Sequence, residues 1–285
     1  MEPSWILDYC VSRYTTEMLH TFELTIAAAV LAFAALLHRR GIDGRSLWVF
    51  AVGAGMHSAF ELLAEGFGVR TVADAAIFGI PIGFPVTALI TGAFEGGVVA
   101  LMAWHLMAAL TEGDGRSGRL FALGCAAFAV MGAAGALQMR MQLAADPQAL
   151  SLTRRALFHP HSLALLTAVV APTLAYFALS PRVGPGDGAR LAAYYLGIVG
   201  FTLTLALPLH LASLRFIEVS AAGGYAPASP LEQALVMYAW NLPLEAGWYL
   251  PYFAVMHRLG LTRGRQAQPA AMASATPRFA EEGAA

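Results

Sequence analysis

The chain contains no lysine: all 17 of its basic residues are arginine. That excludes Schiff-base chemistry on a lysine, and with it a retinal pigment, which a count of seven helices would otherwise bring to mind. Charge of either sign is scarce, at 12% of 285 residues, where a soluble domain carries about a quarter. Net charge is −1 and the arginines fall in short clusters between apolar runs, so no basic face exists for nucleic acid. Cysteine is limited to Cys10, before the first apolar run, and Cys125, deep in the fourth. A disulfide needs Cα atoms within about 7 Å, and no pairing is expected. A Gly-rich phosphate loop, a nucleophile elbow and a His-Glu-x-x-His zinc motif are also missing.

What the chain has instead is apolar length. Hydrophobic residues make up 58% and mean hydropathy is +0.61. Apolar runs lie at about residues 19–38, 47–68, 80–110, 119–143, 161–180, 190–214 and 231–257, and a membrane-spanning helix needs roughly 20 mostly apolar residues. The expected fold is all-α: a polytopic integral membrane bundle of about seven transmembrane helices. Residues 1–261 form one transmembrane domain on this reading. Residues 262–285, rich in Ala, Pro and Gly without periodicity, are expected to form a disordered cytoplasmic tail.

Arginines in short loops set the expected orientation. Arg39, Arg40 and Arg45, then Arg116 and Arg119, Arg182 and Arg190, and Arg258, Arg263 and Arg265 fall on one side. Arg13, Arg70, Arg154, Arg155 and Arg215 fall on the other. The larger set marks the cytoplasm, with the N-terminus outside and the C-terminus inside. The first run has no basic region before it and ends in "HRRGIDGR", so it reads as a retained span rather than a cleaved signal. The expected location is a bacterial inner membrane. The two long outer connections, 144–161 and 213–232, are expected to lie as short segments at the interface. Pro81 and Pro85 are placed to set the entry of the third run, and Pro243 and Pro251 to bend the seventh.

A charged carboxylate at the centre of a spanning helix costs about 2.5–3.5 kcal/mol on the insertion scale, so each one demands an explanation. Glu23, Glu61, Glu95 and Glu245 lie in four different runs. His57 and Glu61 are four apart, on one helical face, where they can share a proton or a metal. His20 and Glu23 are three apart, nearer the interface. His210 follows Pro208 late in the sixth run, Asn241 is one turn before Glu245, and Trp248 is three residues after it. Trp248 is too central for an interfacial belt, and with Tyr249 it is a candidate for lining a greasy cavity. The candidate catalytic set is therefore His57, Glu61, Glu95 and Glu245. Asn241, Trp248, Tyr249, His210 and Glu23 are the candidate substrate contacts. His38, His105 and His257 are expected at the interface and His159 and His161 in solvent. Arg140 is expected to snorkel or to serve as a counter-charge.

His57 and Glu61 in "HSAFE", Glu95 in "GAFEGG" and Trp248 in "EAGW" together resemble the emopamil-binding-protein and sterol-isomerase group of small membrane proteins. In that group an asparagine stands where this chain has Glu245. The resemblance implies double-bond migration through a carbocation, with Glu61 or Glu95 as acid, His57 as its partner, Glu245 as base and Trp248 as a π face for the cation.

The expected function is an intramembrane enzyme that moves protons on an isoprenoid or other lipidic substrate, of isomerase, cyclase or hydratase type. Carboxylates from several helices with histidines one turn away also resemble a di-metal donor set, although the usual Glu-x-x-His order is absent. No cofactor is predicted, and a metal or haem site stands as the alternative. A proton-coupled carrier is the third reading, without an inverted repeat to support it. Membrane lipids and a hydrophobic small molecule are the expected partners; the sequence is silent on oligomeric state.

Overall fold

The computed structural model describes residues 10–15, 19–72, 75–145, 151–156, 159–220, 224–236, 238 and 246–263. Its main helices are α1 (Leu19–Arg39), α2 (Arg45–Gly66), α3 (Val86–Glu112), α4 (Gly115–Ala145), α5 (Pro160–Leu179) and α6 (Asp187–Leu211), each long and apolar enough to cross a membrane. The predicted seventh run is described only at its ends, as α7 (Pro230–Leu235) and α8 (Leu250–Arg258). Residues 239–245, with Asn241, Pro243 and Glu245, lie outside the described residues, as does the tail from 264 onward.

Helix ends follow local chemistry. Pro85 immediately precedes α3, and residues 80–85, expected inside the third run, belong instead to the end of a hairpin. Gly113, at φ 70°, closes α3 in the left-handed conformation that glycine adopts without a Cβ clash. Pro160 occupies the first turn of α5 behind a His159 cap that accepts from the His161 N–H. α7 begins with a capping box in which Ser229 and Glu232 satisfy each other's backbone N–H groups.

Strands interrupt the expected all-α architecture. β1 (Cys10–Thr15), β2 (Arg70–Val72), β5 (Ser151–Ala156), β6 (Arg215–Ser220) and β7 (Gly224–Pro227) form an antiparallel sheet in the order β2-β5-β1-β6-β7. A separate hairpin pairs β3 (Ala76–Ile77) with β4 (Ile80–Pro81). Its turn places Phe78 at φ 49° and Gly79 at φ 79°, the two positive φ values of a tight hairpin turn. The five strands come from alternate connections, which return to the same end of a bundle. The expectation of isolated interfacial segments there is corrected: extended backbone at that end satisfies its N–H and C=O groups by pairing across connections.

α3 is the central helix, with 72% of its most apolar window buried against 11% for α4. Lipid is as apolar as leucine, so helices associate through close packing rather than water exclusion. Small residues provide it. A Cβ on Gly96 would overlap the His57 Cβ and the Gly53 carbonyl, and one on Gly92 would overlap Ser58, so α2 and α3 approach backbone to backbone. Gly197 of α6 meets the Ala103 backbone in the same way. Trp104, Tyr194, Tyr252, Phe201 and Phe253 are the largest fully buried side chains around this axis.

Candidate functional site

At the Gly53–Gly96 contact the helical ladder of α3 widens into a π-helical segment, Gly92–Val98. π-Turns of this kind often mark functional sites, because the extra residue re-aims a side chain. Here the segment carries Glu95, and the close approach of α2 brings His57 beside it. His57 Nε2 lies 3.2 Å from Glu61 Oε1 and 3.5 Å from Glu95 Oε2, with the alignment of a hydrogen bond to neither. The other ring nitrogen, Nδ1, is 2.8 Å from the Tyr252 hydroxyl. Tyr249 stands 5.5 Å from the His57 ring, and Phe60 stacks on Tyr252 at 5.8 Å. His57 and Glu61 are buried, and Glu95 is partly open.

Arg70 completes the cluster, and sequence reasoning assigned it only to the outer loop count. The chain leaves α2 at Gly66, turns through Gly68 at φ 67°, and enters β2 at Arg70. Pairing of Arg70 with Arg155 in β5 fixes the backbone there. The guanidinium donates to Glu61 Oε1 in a short hydrogen bond and lies 3.6 Å from Glu95 Oε2. Burial disfavours its charge, but the carboxylates of Glu61, Glu95, Glu23 and Glu65 outweigh burial and hold it firmly protonated. The only signal in the sequence was its position nine residues after Glu61, just beyond the helix.

The remaining candidates divide. Glu23 is buried and paired with His20 at 3.1 Å, and its charge reaches Arg70. Tyr249 lies in the cluster, and Trp248 packs edge-on against Phe60 at 6.0 Å with its indole N–H buried and without a hydrogen-bond partner among the described residues. His210 is not brought in: its ring faces Tyr238 at 6.3 Å, and no described contact links it to His57. Glu245 and Asn241 lie outside the described residues. Arg140, a candidate counter-charge, is exposed, donates to the Ala212 carbonyl at 3.0 Å and pairs with no carboxylate among the described residues. That task falls to Arg70.

Two histidines expected at the interface are buried instead. His257 Nε2 is 3.0 Å from Asp187 Oδ2, and its Nδ1 is 2.8 Å from the Tyr176 hydroxyl. Asp187 also accepts from Arg190 Nη1 and the Gly184 N–H, so this polar group ties α5, α6 and α8 together at the arginine-rich end. His105 meets Ser117 at 3.1 Å. Its spacing gave no warning, because a histidine about two turns from a helix end reads as interfacial until a neighbouring helix covers it.

Two carboxylates, one guanidinium and one imidazole, all largely removed from water, have a definite chemistry. Arg70 balances one carboxylate. The other is balanced by a proton, which His57 holds between Glu61 and Glu95. When that proton moves to a carboxyl, the neutral ring accepts from the Tyr252 hydroxyl at Nδ1 and keeps its remaining proton on Nε2, facing both acids. His57, Glu61 and Glu95 also place one donor atom each within 4.8 Å of one another, a spacing a metal ion can bridge. Fold and site together define a mostly helical, multi-pass membrane protein with a buried acid–base cluster between its second and third spans. Comparison with protein-family models, curated proteins and solved structures finds no match to this chain.

Proposed function

We propose that this protein is an intramembrane enzyme that moves a proton on a hydrophobic, lipidic substrate of isoprenoid type, as an isomerase, cyclase or hydratase does. The observation that carries the reading is the convergence at His57: its ring, bonded to Tyr252, stands within 3.5 Å of both Glu61 and Glu95, and Arg70 faces both carboxylates. A group that exchanges one proton between an imidazole and a partly open carboxyl can act as acid in one step and base in the next. The five-stranded sheet at the same end favours entry of the substrate from the bilayer rather than from water. In this reading residues 231–257 form a seventh span, and Trp248 and Tyr249 line the substrate's path. The N-terminus is outside and the C-terminus cytoplasmic, in a bacterial inner membrane.

The test is isotopic. Membranes with the wild-type chain, incubated in deuterated buffer, should incorporate deuterium into extractable lipid, and membranes with Glu95→Gln should not. Equal incorporation in the two overturns the reading.

A metal centre is the second reading, favoured by the three convergent donors and by the absence of hydrogen-bond partners for Glu61 Oε2 and His57 Nε2. Against it, Arg70 already occupies the carboxylate oxygens a cation would need. Stoichiometric metal in purified wild type, absent from Glu95→Gln, would select the metal centre over the proton.

A further inference from the structure

At the arginine-rich end, far along α2 and α3 from His57, lies a cavity of about 710 Å³, within the range of about 300–1,000 Å³ that small ligands occupy. The first turns of α2, α4 and α6 each contribute an arginine to its wall: Arg45, Arg116 and Arg190. Asp43, Glu112 and Asp114 line it as well, so the ligand class depends on which charges are already engaged.

Most are. Asp43 accepts from the N–H of Arg45 and the hydroxyl of Ser46 at the start of α2. Asp114 accepts from the Arg116 N–H at 3.0 Å and the Ser117 hydroxyl at 2.7 Å at the start of α4. Glu112 takes both Nη1 and Nη2 of Arg45, at 3.3 and 3.2 Å, and Arg45 also covers the Trp104 ring at 4.8 Å. Arg190 gives Nη1 to Asp187, while its buried Nε has no hydrogen-bond partner among the described residues. Arg116 is exposed at the cavity wall, and its guanidinium has no ion-pair partner among the described residues.

His105 adds an acceptor. It is 4% exposed and lines the cavity. Ser117 has one hydroxyl proton, and that proton goes to Asp114. Toward His105 the serine oxygen can therefore only accept, so Nδ1 carries the imidazole proton. On this lining residue the neutral ring is left with its Nε2 lone pair as an acceptor, with no hydrogen bond to it among the described residues. The chain Asp114–Ser117–His105 fixes a tautomer, which a ring used only for packing does not require.

The groups left for a ligand are the Arg116 guanidinium, the Arg190 guanidinium beyond its bond to Asp187, and one oriented neutral acceptor. We propose that this cavity binds a phosphate ester that carries an O–H donor: Arg116 and Arg190 take the phosphoryl oxygens, and His105 Nε2 accepts from the hydroxyl. The ester is either the headgroup of a membrane lipid or a soluble molecule, the chemistry of recognition being the same. The site stands independently of the proton chemistry at His57.

The full chain in phosphatidylcholine nanodiscs, followed by tryptophan fluorescence during heating, tests the proposal with two probes. One is phosphatidylglycerol added to the disc, and the other is glycerol 3-phosphate in solution. Wild type should gain several degrees in Tm with phosphatidylglycerol alone if the source is a lipid, and with glycerol 3-phosphate as well if the ester suffices. Loss of a hydrogen bond to a charged group corresponds to about tenfold or more in affinity, so Arg116→Gln should need at least that much more probe. Arg119→Gln, an exposed arginine of the same connection that does not line the cavity, should respond as wild type does. His105→Phe should lose the preference for phosphatidylglycerol over phosphatidylmethanol, an equally charged phosphodiester whose headgroup has no O–H. The proposal is overturned if neither probe raises the wild-type Tm, if Arg116→Gln responds like wild type, or if Arg119→Gln loses as much as Arg116→Gln.

Discussion

Arg70→Gln is the substitution on which the charge balance at the candidate site stands or falls. The guanidinium is 8% exposed and bonds Glu61 while lying 3.6 Å from Glu95. Without it, His57 is the one cation left, among the described residues, beside the buried Glu61 and the partly open Glu95. Breaking a buried pair from one side costs about 3–5 kcal/mol. The chain can escape by protonating a glutamate, which at pH 7 costs about 3.7 kcal/mol from an ordinary value near 4.3, at 1.36 kcal/mol per unit. The two figures agree, and the second carries a pH signature. At pH 5 the same escape costs only about 1 kcal/mol, so the penalty of Arg70→Gln should shrink as pH falls. Unfolding of purified wild type and variant at pH 7 and pH 5 reads the difference directly. Adding Glu61→Gln to Arg70→Gln should restore most of the loss, because two neutral amides replace an orphaned charge, and the cycle measures the coupling. A penalty below about 1 kcal/mol at pH 7, or one that does not change at pH 5, or additivity in the double variant, would refute the assignment of Arg70 as the counter-charge.

Other outcomes follow from the same geometry. Tyr252→Phe removes the hydroxyl at His57 Nδ1. It should cost about 1 kcal/mol in unfolding experiments and lower deuterium incorporation into lipid, since the ring loses its fixed tautomer. Gly96→Ala places a methyl against the His57 Cβ and the Gly53 carbonyl. It should destabilise by about 1–3 kcal/mol or more and reduce activity with every polar group of the cluster intact, whereas Gly135→Ala, with open space at its Cβ, should do neither. Asp114 and Asp43 both sit below the ordinary carboxylate value. For Asp114 the Ser117 hydroxyl is the main cause, and for Asp43 the hydrogen bonds of Ser46 and Arg45 overcome burial. A lowered native value means that these caps contribute full stability above about pH 4. That contribution should disappear as pH falls through the native values, and Asp114→Asn should flatten that part of an acid unfolding curve.

The helices were legible because the hydrocarbon core imposes a length and a composition on any span, and six of the apolar runs coincide with α1 to α6 to within a few residues. The His57–Glu61 pair was legible because a spacing of four on a helix puts two side chains on one face. Glu95 was singled out by its cost in an apolar run, but only the Gly53–Gly96 contact makes it a neighbour of His57, and that is a property of two helices. Arg70 was hidden because a loop arginine next to a span looks solvated. What returns it to the bundle is a strand pairing with residues some eighty positions away. The sheet was hidden for the same reason: β2 has three residues, too few to show any alternation, and its partners come from other connections. His105 and His257 looked interfacial because sequence position gives depth along a helix and says nothing of what covers it.

Remote pairing therefore reaches the chemistry, and one substitution separates it from local effects. β5 holds β2 from both sides of Arg70: Arg70 pairs with Arg155, and the Ala156 N–H donates to the Val69 carbonyl at 2.9 Å. Ala156→Pro removes that donor and places a ring where the sheet needs a hydrogen bond, while altering no group of the cluster. The direct loss is one hydrogen bond, about 1 kcal/mol. If β2 serves only to close the end of the bundle, the effect stops there. If β2 aims Arg70, its guanidinium loses its fixed position, and the variant should show part of the Arg70→Gln behaviour: a stability deficit larger at pH 7 than at pH 5, and reduced proton exchange with lipid. An Ala156→Pro deficit that is the same at both pH values, with wild-type exchange, would show that Arg70 finds Glu61 without the sheet.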